Sequence, residues 1–251
     1  MNSTNSTVPA PYSSNRSPMP GWYGKIPCLG DFVSRRLPPG FISVWDTWLQ
    51  RSIAASREQL KERWLDLYLN GPIWRFALMQ GLLGDREGIW IGVLMPSVDN
   101  VGRYFPLTIA QRIEPRPGIM LSIFSSQSWF ASLEGIALAT LNINALPDDV
   151  DKNLAENPFP SREWGGQRVG AQGLASWWQT ESRSPKILDL PSENSLADLF
   201  DATAEELLTR TACGKSFWWT IPLTTGAIQL RCFTGLPLET HYASMLQPPL
   251  S

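Results

Sequence analysis

A chain of 251 residues, 43% hydrophobic and 18% charged, is long enough to bury one large core or two smaller ones. A net charge of −2 and a pI near 5.5 argue against a protein whose main task is to grip nucleic acid or an anionic membrane, since either needs a basic face. One histidine and three scattered cysteines, Cys28, Cys213 and Cys232, make no His/Cys metal set, and their odd count predicts reduced thiols in a cytoplasmic protein.

Residues 1–20 are rich in Ser, Thr, Asn and Pro, without the apolar run of a signal peptide, and read as a disordered tail. No later segment approaches the roughly 18 uninterrupted apolar residues of a spanning helix. Structure starts at Gly21, where Trp22, Tyr23 and Ile26 suit a short strand and Pro27 and Gly30 punctuate a turn. After Pro38-Pro39-Gly40, the residues Phe41, Val44, Trp45, Trp48, Leu49 and Ile53 recur at the spacing of one helical stripe. Between strand and helix, Lys25, Asp31, Arg35 and Arg36 concentrate charge beside aromatic side chains. Leu60, Trp64 and Leu67 keep the helical beat as far as Asn70-Gly71-Pro72.

Three strands follow, over 73–80, 88–98 and 104–113. The middle one, with Ile89, Trp90, Ile91, Val93, Leu94 and Met95 nearly unbroken, is apolar on both faces and should lie at the sheet centre with helices on each side. Ser97, Asp99, Asn100 and Gly102 make a turn between it and the next strand. A third helix is predicted over 125–144 with Ser125 or Ser126 as its cap, and a shorter one over 148–154. The Pro- and Gly-rich stretch 156–173 reads as loop, a possible subdomain break within one domain spanning 21–251. A helix over 195–211 sets Leu196, Leu199, Phe200, Leu207 and Leu208 against solvent-facing Asp198, Asp201, Glu205 and Glu206. Strands over 216–221 and 227–233 form a hairpin across Thr224-Thr225-Gly226, and 236–246 closes in a helical turn or two. The expected fold is α/β, with a mixed, largely antiparallel sheet flanked by helices as a three-layer α/β/α sandwich.

Catalytic patterns are weak. His241 is the only imidazole, and Gly214-Lys215-Ser216-Phe217-Trp218 has Trp where a nucleophile elbow needs Gly. A phosphate-binding loop fails because position 209 is Thr rather than Gly. Asp99, Asp148, Asp149 and Asp151 leave an all-oxygen metal site conceivable, but the last three read better as an acidic helix start. Asp31, Asp46 and Asp99 could meet as paired carboxylates in a cleft. Ion pairs such as Asp31 with Arg103, or Asp46 with Arg36, are the favoured alternative. Twelve tryptophans, among them the adjacent Trp177-Trp178 and Trp218-Trp219, point either to core packing or to a docking surface. Neighbours on a strand face opposite ways, so one of the second pair should be core and the other exposed or covered by a helix.

GWYGKIPCLGDFVSRRLP followed by FISVWDTWLQ, then PSVDNVGRYFPLTIA over Pro96 to Ala110, and more loosely SFWWT and GLP further on, resemble the TagF family of type VI secretion accessory proteins. The resemblance implies a non-enzymatic, cytoplasmic, post-translational repressor of secretion that binds and sequesters the forkhead-associated component Fha, with no cofactor. It marks Lys25, Asp31, Trp45, Asp46, Ser97, Asp99, Arg103 and Tyr104 as the residues shaping a signature face, with Arg35 and Trp218 beside them. The competing readings are a hydrolase or transferase working through Asp31, Asp99, Lys25 or His241, and a passive scaffold of the secretion apparatus.

Overall fold

The computed structural model describes residues 19–83, 88–160, 170–180, 185–190, 192, 194–221 and 228–247. Seven strands share one sheet: β1 (Gly21–Gly24), β2 (Val33–Arg35), β3 (Trp74–Leu78), β4 (Ile89–Met95), β5 (Leu107–Ile113), β6 (Lys215–Thr220) and β7 (Gln229–Thr234). Their order is β2-β1-β5-β4-β3-β6-β7, and every pairing is antiparallel. The apolar run Ile89–Met95 therefore occupies the middle of the sheet, with every residue buried, as its lack of alternation requires. Gly92 is needed there, because a Cβ would run into the Ile109 carbonyl of the neighbouring strand.

Helices cover both faces. On one lie α1 (Pro39–Leu60), α2 (Trp64–Leu69) and α8 (Tyr242–Met245), packing Phe41, Trp45, Trp48, Tyr68 and Tyr242 against Phe76, Leu94 and Trp218. On the other, α3 (Ile119–Ser125), α4 (Gln127–Ala139) and α5 (Pro147–Ala155) bring Ile123, Phe130, Leu133 and Leu154 onto Ile91, Val93, Ile109 and Trp219. This is the expected three-layer arrangement. Trp218 and Trp219 point to opposite faces and both are buried, each beneath its own helical layer. A small third cluster joins α6 (Ala171–Trp178) to α7 (Asn194–Thr211) through Ala171, Leu174, Leu199 and Ala202.

Several local expectations are corrected. Val44 is 41% exposed, and Ser52 and Ser56 complete the buried stripe of α1, where Ser56 Oγ accepts the Trp64 indole N–H at 2.8 Å. A further helix, α3, not expected from the sequence, precedes the one expected over 125–144, which runs from Gln127 to Ala139 with Ser126 at its N-cap position. That serine caps nothing with its side chain, since its hydroxyl donates back to the Ser122 carbonyl at 2.6 Å. The final stretch of the supposed loop 156–173 opens α6. On α7, Glu205 faces inward, accepting the N–H groups of Gly118 (2.7 Å) and Met120 (3.2 Å) at the start of α3. Free amide donors at a helix start attract a carboxylate strongly enough to bury one. Leu196, Phe200 and Leu208 are correspondingly about half exposed. Residues 1–18, most of the loop before α6 and the turn Thr224–Gly226 lie outside the described residues.

Candidate interaction site

The two sequence blocks that stood out, one after β1 and one between β4 and β5, meet at one end of the sheet. Gly24 ends β1 at φ +142°, packed so tightly that a Cβ would collide with the Pro106 carbonyl. The next residue, Lys25, turns inward, and its Nζ lies 2.5 Å from Asp99 Oδ2 in a fully buried ion pair. Asp99 begins the turn Asp-Asn-Val-Gly, closed by Gly102 at φ +82°. Its Oδ1 accepts the N–H groups of Val101 (3.1 Å) and Arg103 (2.8 Å), and its Oδ2 also accepts Arg103 Nε at 2.7 Å. Arg103 continues across to the Gly30 carbonyl, and Asn100 N–H reaches the Leu29 carbonyl at 3.1 Å. Two loops distant in sequence are thus sewn together around a single carboxylate.

Burial alone would raise the Asp99 carboxyl. The donations from Lys25, from Arg103 and from the Val101 amide outweigh it and hold the group well below the usual carboxylate range. Ser97 extends the seam: its hydroxyl donates to the Lys25 carbonyl at 2.7 Å, while its backbone exchanges two hydrogen bonds with Tyr68 OH, at 2.9 and 3.1 Å. Tyr104 packs its edge against Trp64 and Tyr68. Above the seam, Phe32 stacks on Tyr23, meets Phe105 edge-on and lies 4.7 Å from the Lys25 ammonium.

The other signature residues hold the fold elsewhere. Trp45 is fully buried, donating to Thr108 Oγ1 at 2.8 Å and lying parallel to the equally buried Trp218. Both shape the sheet from beneath, and neither reaches the surface. Asp46 accepts the Tyr23 hydroxyl at 2.6 Å and Gln50 at 2.6 Å; burial first, and the Asp46 carboxylate second, push the Tyr23 phenol above its ordinary value. Arg35 pairs with Asp148 and Asp151 of α5, and Arg36 with Asp151, which also accepts the Trp22 indole N–H at 2.8 Å. The expected pairs Asp31–Arg103 and Asp46–Arg36 are therefore replaced by Lys25–Asp99–Arg103 and Arg36–Asp151. Asp31 is exposed and accepts the N–H of Phe32.

Exposed around the seam are Asp31, Phe32 (43%), Asn100, Val101 (66%) and the outer half of Arg103. Phe32, Val101 and Tyr68 were not singled out from sequence. Val101, an apolar residue at the tip of an Asn-Val-Gly turn, carried a readable signal, whereas the ring stack of Phe32 depends on a strand it meets only in the folded chain. His241 lies on the surface beyond β7, its ring against Phe233, and does not join Lys25 and Asp99. Among the described residues no three His, Cys, Asp or Glu side chains gather to hold a metal ion, and no helix is long and apolar enough to cross a membrane.

A family model described as the TagF N-terminal domain, type VI secretion system-associated, matches residues 21–156. The match takes in both loops of the seam and ends after α5. No curated protein matches the chain. Among solved structures it is similar to the crystal structure of PA0076 from Pseudomonas aeruginosa PAO1, with 31% identity and a TM-score of 0.66 over 92% of this chain and 98% of that one. With its signature blocks matched and its fold shared along nearly the whole length, this chain belongs to the TagF family of type VI secretion system-associated proteins.

Proposed function

We propose that this chain is a non-enzymatic, post-translational repressor of type VI secretion that acts in the cytoplasm by binding the forkhead-associated component Fha and keeping it from the apparatus. The observation that carries this reading is how the Lys25–Asp99–Arg103 seam uses its charges. The carboxylate and the ammonium are paired with each other in the interior, and what stands outside is a rim of Phe32, Val101, Asp31 and Arg103. A mixed rim of this kind suits protein recognition, where a few aromatic and arginine side chains supply most of the binding energy and their neighbours exclude water. A hydrolase or transferase would need Asp99, Lys25, Asp31 or His241 to converge on a cleft, and the internal pairing favours recognition over that chemistry.

Retention of the cognate Fha protein by the immobilised chain is the direct test, together with secretion measured on deletion and on overproduction. Retention is expected, and overproduction should lower secretion. A scaffold would raise secretion or leave it unchanged when overproduced, and failure to retain Fha would remove the reading. Val101→Asp, placed on the rim, should weaken retention at least tenfold while leaving the melting temperature nearly unchanged.

A further inference from the structure

The opposite edge of the sheet is β7, against which no further strand pairs among the described residues. Gly235 N–H donates to the Gly214 carbonyl at 2.8 Å, and one step along Thr234 stands opposite Lys215. Facing residues in an antiparallel ladder alternate between pairs that exchange both backbone bonds and pairs that exchange none. Phe233, Arg231 and Gln229 therefore turn their N–H and C=O groups toward β6, while Thr234, Cys232 and Leu230 turn theirs outward. As β7 is the last strand of the sheet, those outward groups meet no backbone partner among the described residues. The same three side chains are exposed, Leu230 at 55%, and Ile228 beside them is 58% exposed.

Nothing in the strand resists extension. Residues 229–234 contain neither Pro nor Gly, and their one charge is drawn back: Arg231 donates to Ser244 Oγ (2.8 Å) and to the Ser244 carbonyl (3.1 Å), with its guanidinium 4.9 Å from the Trp74 ring centroid. Edge strands are ordinarily guarded by an outward lysine, a proline or a bulge. We propose that β7 pairs antiparallel with β7 of a second copy of this chain, about a two-fold axis at Cys232, joining two seven-stranded sheets into one.

Charge and register select this occupant. Outward-facing residues must meet outward-facing residues, which leaves two registers of greatest overlap. One sets Arg231 against its own copy, and like charges directly opposite are destabilising. The other sets Cys232 against Cys232, Leu230 against Thr234, and Arg231 against the ring of Phe233, so the strand is complementary to itself, as a two-fold interface requires. A net charge of −2 adds little repulsion between copies. This surface is at the far end of the sheet from the seam, and the proposal stands independently of Fha binding.

Light scattering on the full-length chain at micromolar concentration should give twice the 28.1 kDa of one copy, and Leu230→Lys or Thr234→Lys should return it to one copy with an unchanged circular dichroism spectrum. Facing Cα atoms in a hydrogen-bonded pair lie about 5.5 Å apart, within disulfide reach. In a Cys28→Ser, Cys213→Ser background, diamide, which takes up the two thiol hydrogens, should therefore give a covalent dimer that is lost when Cys232→Ser is added. A wild-type monomer overturns the proposal, including one whose β7 instead captures a strand from another protein. So does a dimer that survives both lysine variants, or one that Cys232 fails to cross-link.

Discussion

The two edges of this sheet are built on opposite plans. At one, β2 is three residues long, Arg36 follows it at φ +63°, Pro38 and Pro39 come next, and Arg35 and Arg36 are pinned to Asp148 and Asp151. At the other, β7 runs six residues with Leu230 exposed and outward backbone groups that meet no partner among the described residues, its arginine folded onto Trp74. Short length, proline and surface charge are devices that prevent strand addition, and they are concentrated on one edge. The difference teaches that the loops joined around Asp99 lie toward the guarded edge, while the edge beside Trp218 keeps outward backbone groups that meet no partner among the described residues.

The comparison breaks most sharply at Asp99. Asp99→Ala leaves the Lys25 ammonium buried without a partner and should cost about 3–5 kcal/mol, read as a drop in the denaturant midpoint. The same carboxylate gives the signature end an acid dependence. Its folded pKa is depressed, so its contribution is complete above the ordinary carboxylate pKa of about 3.9 and is lost as pH falls through the lower folded value. Stability should therefore fall with acidification below about pH 4, and Asp99→Asn should flatten that slope. A fall that is unchanged in the variant would assign it to other carboxylates. Gly24→Ala, which forces a side chain into the left-handed region and against Pro106, should cost about 1–3 kcal/mol of backbone strain and blunt Fha retention by loosening the seam. Smallest in stability is Leu230→Lys, expected to stay within about 0.5 kcal/mol of wild type in the unfolding midpoint because the side chain is already in water. Measured at a dilution where both proteins are single chains, the midpoint isolates the strand itself, and a large stability loss there would mean that the edge is covered within a single copy. The loss of pairing is read as molecular mass at micromolar concentration.

Much of the layered fold was legible from local pattern. The unbroken apolar run at Ile89–Met95 located the centre of the sheet, and the stripe of α1 was read correctly except at Val44, which stands in solvent while Ser52 and Ser56 are buried, Ser56 as the acceptor of the Trp64 indole N–H. The short helix α3 was not foreseen, because the carboxylate that meets its first amides, Glu205, comes from far along the chain, whereas the start of α4 at Ser126 was read correctly. Glu205 was misplaced for a related reason, since its partners are amides at the start of another helix, 85 and 87 positions away. For the site, sequence named both ends of the buried pair, Lys25 and Asp99, but assigned the partners wrongly. Charge type along the chain says that a lysine needs an anion, and only the approach of two loops 74 positions apart says which.

Composition and periodicity by themselves determined the layers and the central strand, because burial of apolar side chains follows local repeats of two and 3.6 residues, and the residues worth watching came from the resemblance to the family. The tertiary structure alone decided that Trp45 and Trp218 stack inside rather than face a partner, that Asp99 is saturated by its donors, and that β2 and β7 are the two edges of the sheet. Those outcomes depend on which distant backbones come within hydrogen-bonding distance, a quantity set by the whole packed chain and encoded in no short stretch of it.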